Sequence, residues 1–169
     1  TKADIIIFAG VVFMAETAKI LSPEALVLVP DRGSGCSLAD SLTAQELIKM
    51  KKENPDAGVV CYINSNADVK AECDVCVTSS NVYEIIEKMP QQKILFVPDR
   101  LMAENIRTEL KKRGVKKEII SSSGTCIVHD VFDTSFIEAS RKKYPDLKVV
   151  SHPECTPEVA LASDYVGST

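Results

Sequence analysis

The chain has no excess of positive charge, no apolar run long enough to cross a bilayer, and no linker or low-complexity segment. Each absence removes a class of function. Twenty lysines and arginines against 24 aspartates and glutamates give a formal charge of −4, and the basic residues are scattered among acids, so no surface for a phosphate backbone is expected. Nucleic acid is therefore excluded as a partner. The apolar stretch "IIIFAGVVFMA", residues 5–15, follows one lysine and precedes Glu16. It is shorter than the about 20 residues of a membrane helix and has the wrong flanks for a signal peptide, so no membrane partner is expected. It reads better as a buried strand running into a helix. Six cysteines without a signal-peptide pattern or a dense small-protein framework point to reduced thiols and a cytoplasmic location. At 169 residues the chain can bury one sizeable core or two small ones.

Short Ile/Val-rich runs alternate with segments of helical period. Strands are expected over 4–10, 25–30, 57–63, 74–79, 93–97, 117–121, 147–151 and 164–168, and helices over 12–21, 43–54, 66–72, 81–89, 101–113, 135–143 and 157–163. Continuous apolar strands such as "KILFV" need cover on both faces, which predicts small parallel sheets with helices on either side, an α/β class of three-layer αβα units. Thr43 with Glu46, Asn81 with Glu84 and Ser135 with Glu138 have capping-box spacing, and Pro157 follows the candidate cap Thr156.

An internal repeat organises these elements. "VVCYINSNADVKAECDVCVTS" (59–79) lies without gaps on "VVSHPECTPEVALASDYVGST" (149–169), 90 positions on. "IIFAGVVFMAE" (6–16) lies on "ILFVPDRLMAE" (94–104) at an offset of 88, and Cys36 falls 90 residues before Cys126. A repeat of this length holding four strands is one small α/β unit. The expected division is 1–40 as the second half of a first unit, 41–130 as a complete second unit and 131–169 as the first half of a third, in a pseudo-threefold arrangement.

The cysteines divide into two groups. Cys73-x-x-Cys76 resembles a redox dithiol in spacing only, because the first sulfur ends a short helix instead of opening one. No second pair at zinc-binding spacing accompanies it. In the repeat the counterparts of Cys73, Cys76 and Cys61 are Ser163, Val166 and Ser151, so all three read as packing residues, with Cys76 expected to be buried and neutral. Cys36 in "GSGCSLAD" and Cys126 in "SSGTCIVHD" sit in matching Gly/Ser-rich loops past a strand, which suit iron–sulfur ligation. Three such loops would bring three thiolates to one point and leave one iron of a [4Fe–4S] cluster open as a Lewis acid; two unrelated loop cysteines are the bland alternative.

Ligands of α/β sheets gather outside the carboxyl ends of the strands. The repeat sets Tyr62 opposite His152, Asn64 opposite Glu154 and Ser79 opposite Thr169, all at such ends. Together they offer donors for carboxylate or phosphate and one carboxylate able to move protons. A surface histidine and a turn glutamate are the alternative for His152 and Glu154.

The stretches "FMAETAKIL", "GCSLAD", "CYINSNADVKAECDVCVTSSN", "GTCIVHDVF", "HPECTPEV" and "ADYVGST" resemble, in the family's order, the quinolinate synthases of NAD biosynthesis. The resemblance implies three αβα domains around a cavity with a [4Fe–4S] cluster held by one cysteine from each. It implies condensation of iminoaspartate with dihydroxyacetone phosphate to quinolinate with loss of phosphate and water, in functional coupling with an L-aspartate oxidase or dehydrogenase. Carried over, Cys36 and Cys126 would be cluster ligands, and Tyr62, Asn64, Ser79, His152, Ser168 and Thr169 would hold substrate. Glu154 would be the acid/base residue, with His152 and Tyr62 completing the catalytic set. The family's early His-Asn-Tyr-Gln motif and its third cysteine have no match here, so the third ligand is expected outside this segment. The segment alone should bind a cluster poorly and have little activity. The rival functions are a non-catalytic α/β module binding an anionic metabolite and a thiol–disulfide protein using Cys73 and Cys76.

Overall fold

The computed structural model describes residues 2–168. Eight strands and seven helices alternate along them: β1 Ile5–Ile7, α1 Val12–Leu21, β2 Leu26–Leu28, α2 Ala44–Glu53, β3 Gly58–Tyr62, α3 Ala67–Ala71, β4 Val75–Val77 and α4 Val82–Lys88, then β5 Lys93–Val97, α5 Arg100–Lys112, β6 Glu118–Ser121, α6 Thr134–Lys143, β7 Val150–Ser151, α7 Pro157–Ala162 and β8 Tyr165–Val166. Every expected strand and helix is present; α1 and β5 have the expected bounds, α5 is shifted by one residue, α6 begins one residue earlier, and the others are shorter. A short 3-10 turn at Ala39–Ser41 is an addition. The strands form three sheets, a central one in the order β4-β3-β5-β6 and two flanking pairs, β1-β2 and β7-β8, all parallel.

Alternation along the central strands builds three layers. Val60, Tyr62, Ile94, Phe96 and Ile119 pack with Val82 and Ile86 of α4 and with Met102, Ile106 and Leu110 of α5. The intervening Val59, Cys61, Leu95 and Val97 pack on the opposite face with Leu47 of α2 and Val69 of α3. A strand that is apolar at every position has to be covered twice, and β3 is buried throughout. The order β4-β3-β5-β6 reverses direction between β3 and β5, so their carboxyl ends, at Tyr62 and Val97, flank a topological switch point, the place where ligands of such sheets gather.

Helix ends follow local chemistry. Thr43 and Glu46 form the expected capping box, a feature that contributes about 1 kcal/mol, and Thr156 caps Val159 ahead of Pro157. Helix α5 stops at Gly114, whose φ of 72° suits glycine. There Val115 N–H reaches Leu110 O and Gly114 N–H reaches Lys111 O, with Val115 packing beside Leu110. Two expected caps are corrected. Asn81 makes no cap bond and instead accepts from the Thr78 amide. For α6 the cap is Asp133, two residues before Ser135.

The repeat appears in the register. Val60 pairs Val75 and Cys61 pairs Cys76; 90 residues on, Val150 pairs Tyr165 and Ser151 pairs Val166. In both copies an aspartate after the helix locks the pair: Asp74 Oδ2 accepts from Val59 N–H at 2.7 Å, and Asp164 Oδ2 from Val149 N–H at 2.9 Å.

Two burial expectations fail. Ile5 and Ile7 of β1 are 57% and 70% exposed, because β1 has only β2 beside it among the described residues. Cys76 is exposed as well, although Cys61 across from it is fully buried. Its thiol is still held neutral, pushed up mainly by Cys61.

Candidate active site

At the carboxyl end of β3 the chain leaves the sheet through Tyr62, Ile63 and Asn64. The equivalent exit after β7 delivers Ser151, His152, Pro153 and Glu154. These two turns meet: Asn64 Nδ2 lies 3.4 Å from Glu154 Oε1, and the two residues are repeat equivalents 90 apart. The second pair of repeat ends also meets, with Ser79 Oγ donating to Ser168 Oγ at 2.9 Å. Thr169 lies outside the described residues.

Glu154 is the centre of the group and is only 3% exposed. Its Oε2 lies 3.0 Å from His129 Nδ1 and 3.3 Å from His152 Nδ1. Burial pushes its carboxyl up, but the two imidazoles outweigh burial and hold it at about 2. It is therefore a carboxylate at neutral pH. The turn carrying Glu154 is clamped from the central unit, where buried Asn105 of α5 donates through Nδ2 to Pro153 O and Cys155 O, both at 2.8 Å.

His129, which the strand-end reasoning missed, stacks on His152 with ring centroids 5.1 Å apart. Glu154 beside it raises its pKa to about 9, burial opposes, and Cys126 adds to the rise. Although the carboxylate is close, Nδ1 has no well-aligned hydrogen-bond partner, so the contact is an ion pair and not a directed bond. His152 Nδ1 accepts from the Glu154 amide at 3.3 Å.

Tyr62 is buried, and burial together with the nearby charge of Glu154 pushes its phenol up, with Ser79 opposing. It stays protonated and can donate. Asp99, whose charge also acts on Tyr62, was missed from the sequence as well. Its Oδ1 caps α5 by accepting from Met102 N–H at 2.7 Å, while Oδ2 is buried without a partner. Burial lifts it to about 7, against the Met102 amide and with Glu154 adding.

Two cysteine loops border this group. The thiols of Cys36 and Cys126 are partly buried, and both pack against the cluster containing Leu38 and Tyr62. The loops touch at Gly124: a Cβ there would collide with Ser41 Oγ, just past the Cys36 loop, and fall 2.8 Å from Pro98 O. Only glycine allows that approach. The Cys126 loop is fastened further by Arg100 N–H to Gly124 O at 2.7 Å and Ser122 Oγ to Pro98 O at 2.7 Å. Cys73, Cys76 and Cys61 form a separate group around β3 and β4, where Cys73 Sγ donates to Val69 O at 3.1 Å.

The spacing Cys126-x-x-His129 is the signal that could have found His129, since His129 N–H bonds Cys126 O across one turn at 3.1 Å. No helix among the described residues is long and apolar enough to cross a membrane.

The family model described as quinolinate synthetase A protein matches residues 1–169. The chain is similar to the quinolinate synthase of Aquifex aeolicus, 47% identical over all of this chain and 51% of that protein. It is similar also to that of Xylella fastidiosa strain Temecula1, 44% identical over 99% of this chain and 48% of that protein. A third is that of Caldicellulosiruptor bescii, 46% identical over 98% and 53%. The chain spans about half the length of the curated relatives it matches.

Proposed function

The chain belongs to the quinolinate synthetase A family, and from that premise we propose that it is the middle of a quinolinate synthase. That enzyme would condense iminoaspartate with dihydroxyacetone phosphate. The observation that carries this reading is the meeting of Asn64 with Glu154, which joins the polar strand ends of two units into one site. The three sheets are read as one complete αβα unit, 41–130, between parts of two others, 1–40 and 131–169.

In this reading Asn64, Ser79, Ser168, Thr169 and His152 hold the carboxylate and phosphate oxygens of the substrates. Ionised Glu154 accepts a proton at a carboxylate oxygen, and the protonated Tyr62 hydroxyl donates one or steadies developing negative charge. Clamping of the 153–155 turn by Asn105 keeps Glu154 in place without a substrate.

The contact between the two cysteine loops and their shared packing fit ligation of one group by Cys36 and Cys126. A [4Fe–4S] cluster held there would supply an open iron acting as a Lewis acid, with the third thiolate coming from sequence beyond this segment. The site lies among residues of a family acting on small molecules, and coupling to an L-aspartate oxidase or dehydrogenase would supply the unstable imine.

Anaerobic reconstitution of the full-length protein with iron and sulfide tests the reading. Broad visible absorption and quinolinate formation are expected, with both lost in Cys36→Ser and in Cys126→Ser. Retained anion binding in a protein that never takes up iron would instead favour a non-catalytic binding module.

A further inference from the structure

Besides two cysteine loops, the site contains a second and different donor set. The ligand atoms of Cys126, His129 and Glu154 all lie within 4.8 Å of one another. We propose that the cluster-free protein binds one borderline divalent cation of the Zn2+ class through Cys126 Sγ, a His129 imidazole nitrogen and a Glu154 carboxylate oxygen, and that Cys36 takes no part.

The chemistry of the three donors suits such an ion. One thiolate, one imidazole and one carboxylate form a borderline set, and the two negative donors balance a dication. Bond lengths of about 2.0–2.3 Å in a tetrahedron place donors about 3.3–3.8 Å apart. The His129–Glu154 separation of 3.0 Å and an outer limit of 4.8 Å need only side-chain adjustment to meet this. Cys126 and His129 are presented by a single turn, and Glu154 by a separate turn that Asn105 clamps. One feature of the apoprotein is left over by its own hydrogen bonding: His129 Nδ1 is buried without an aligned partner, 3.0 Å from Oε2 of the almost fully buried Glu154. Three protein donors leave a fourth position for water or an anionic ligand.

This inference stands on the side chains and not on the synthase reading, and the two call for different residues. A cluster needs Cys36 and Cys126; the single cation needs Cys126, His129 and Glu154. Both claim Cys126, so the cation should also block cluster assembly until it is removed.

The test is anaerobic titration of chelator-stripped full-length protein with Co2+. A thiolate-to-cobalt charge-transfer band and intense d–d bands should saturate at one equivalent, and Zn2+ should displace them. Cys126→Ser should abolish the charge-transfer band, Cys36→Ser should leave both sets unchanged, and His129→Ala and Glu154→Gln should weaken binding by about 100-fold, the upper end of what even an outer-sphere partner contributes. A charge-transfer band that survives Cys126→Ser, disappears in Cys36→Ser, or never saturates at one equivalent overturns the proposal. Circular dichroism checks the fold of each variant; should Glu154→Gln fail to fold, the two cysteine variants still decide. A protein that binds Co2+ in this way but never assembles a cluster would refute the synthase reading alone. Assembly of a cluster without this Co2+ site would refute the present inference alone.

Discussion

The segments β3–α3–β4 and β7–α7–β8 are two copies of one motif with the same strand register and the same aspartate lock, yet their surroundings differ sharply. Val60 is fully buried, and its equivalent Val150 is 69% exposed. Strand β3 has β4 on one side and β5 on the other, whereas β7 pairs with β8 alone among the described residues. Local sequence therefore sets register and helix placement, and neighbouring strands decide burial. The strand ends diverge in chemistry as well. The first copy offers the neutral Tyr62 and Asn64, the second His152 and a fully ionised Glu154. A duplicated frame keeps its lock and changes the residues at its strand ends.

Glu154→Gln in the full-length protein should have the largest effect. It removes the carboxylate that lies beside both imidazoles, and loss of a positioned acid/base group costs about 10²–10⁴-fold in turnover. Asn64→Ala, at the equivalent position, should raise KM more than it lowers kcat, and equal losses at both positions would erase the proposed division of roles. Next in size is the contrast in packing. Val60→Ala should lower unfolding free energy by about 2 kcal/mol, from lost transfer and a cavity. Val150→Ala in the isolated segment should stay within about 0.5 kcal/mol. Urea denaturation of the two variants would break the comparison if the costs came out alike.

The smallest effect concerns pH. Asp164 is held down by the Val149 amide, then by Arg141 and Lys148, from the usual 3.8 to about 2. A group depressed on folding contributes stability above its unfolded pKa and loses it as pH falls through the folded value. The contribution should thus be complete above about pH 4 and fade towards pH 2. Denaturation midpoints of Asp164→Asn should fall less steeply than wild type across that window; parallel curves would assign the lock no electrostatic part.

The elements were legible because their signals are local: apolar runs for β3 and β5, Thr43 with Glu46, Pro157 after Thr156. The repeat reached further and paired Asn64 with Glu154, which meet; it set Ser79 opposite Thr169, whereas the observed partner of Ser79 is Ser168, one residue earlier. What escaped depended on partners remote in sequence. Asn81 has capping spacing, but the Thr78 amide captures its side chain. Cys76 looks like a core residue in an apolar strand, yet its face of β4 is uncovered. Asp99 has no role assigned from the sequence; it caps α5, and only the fold buries its second oxygen without a partner. His129 lies in the Cys126 loop, where its counterpart 90 residues back is the apolar Ala39, so the alignment that found His152 gave no polar match to draw attention to its stacking partner.

The convergence of two unit ends on one site is tested most directly by a double-mutant cycle on quinolinate affinity in the full-length protein, using Asn64→Ala, Glu154→Gln and the pair. Residues in contact at one ligand should couple by at least about 0.5 kcal/mol. Strict additivity would show that Asn64 and Glu154 act in separate places, and would contradict that convergence.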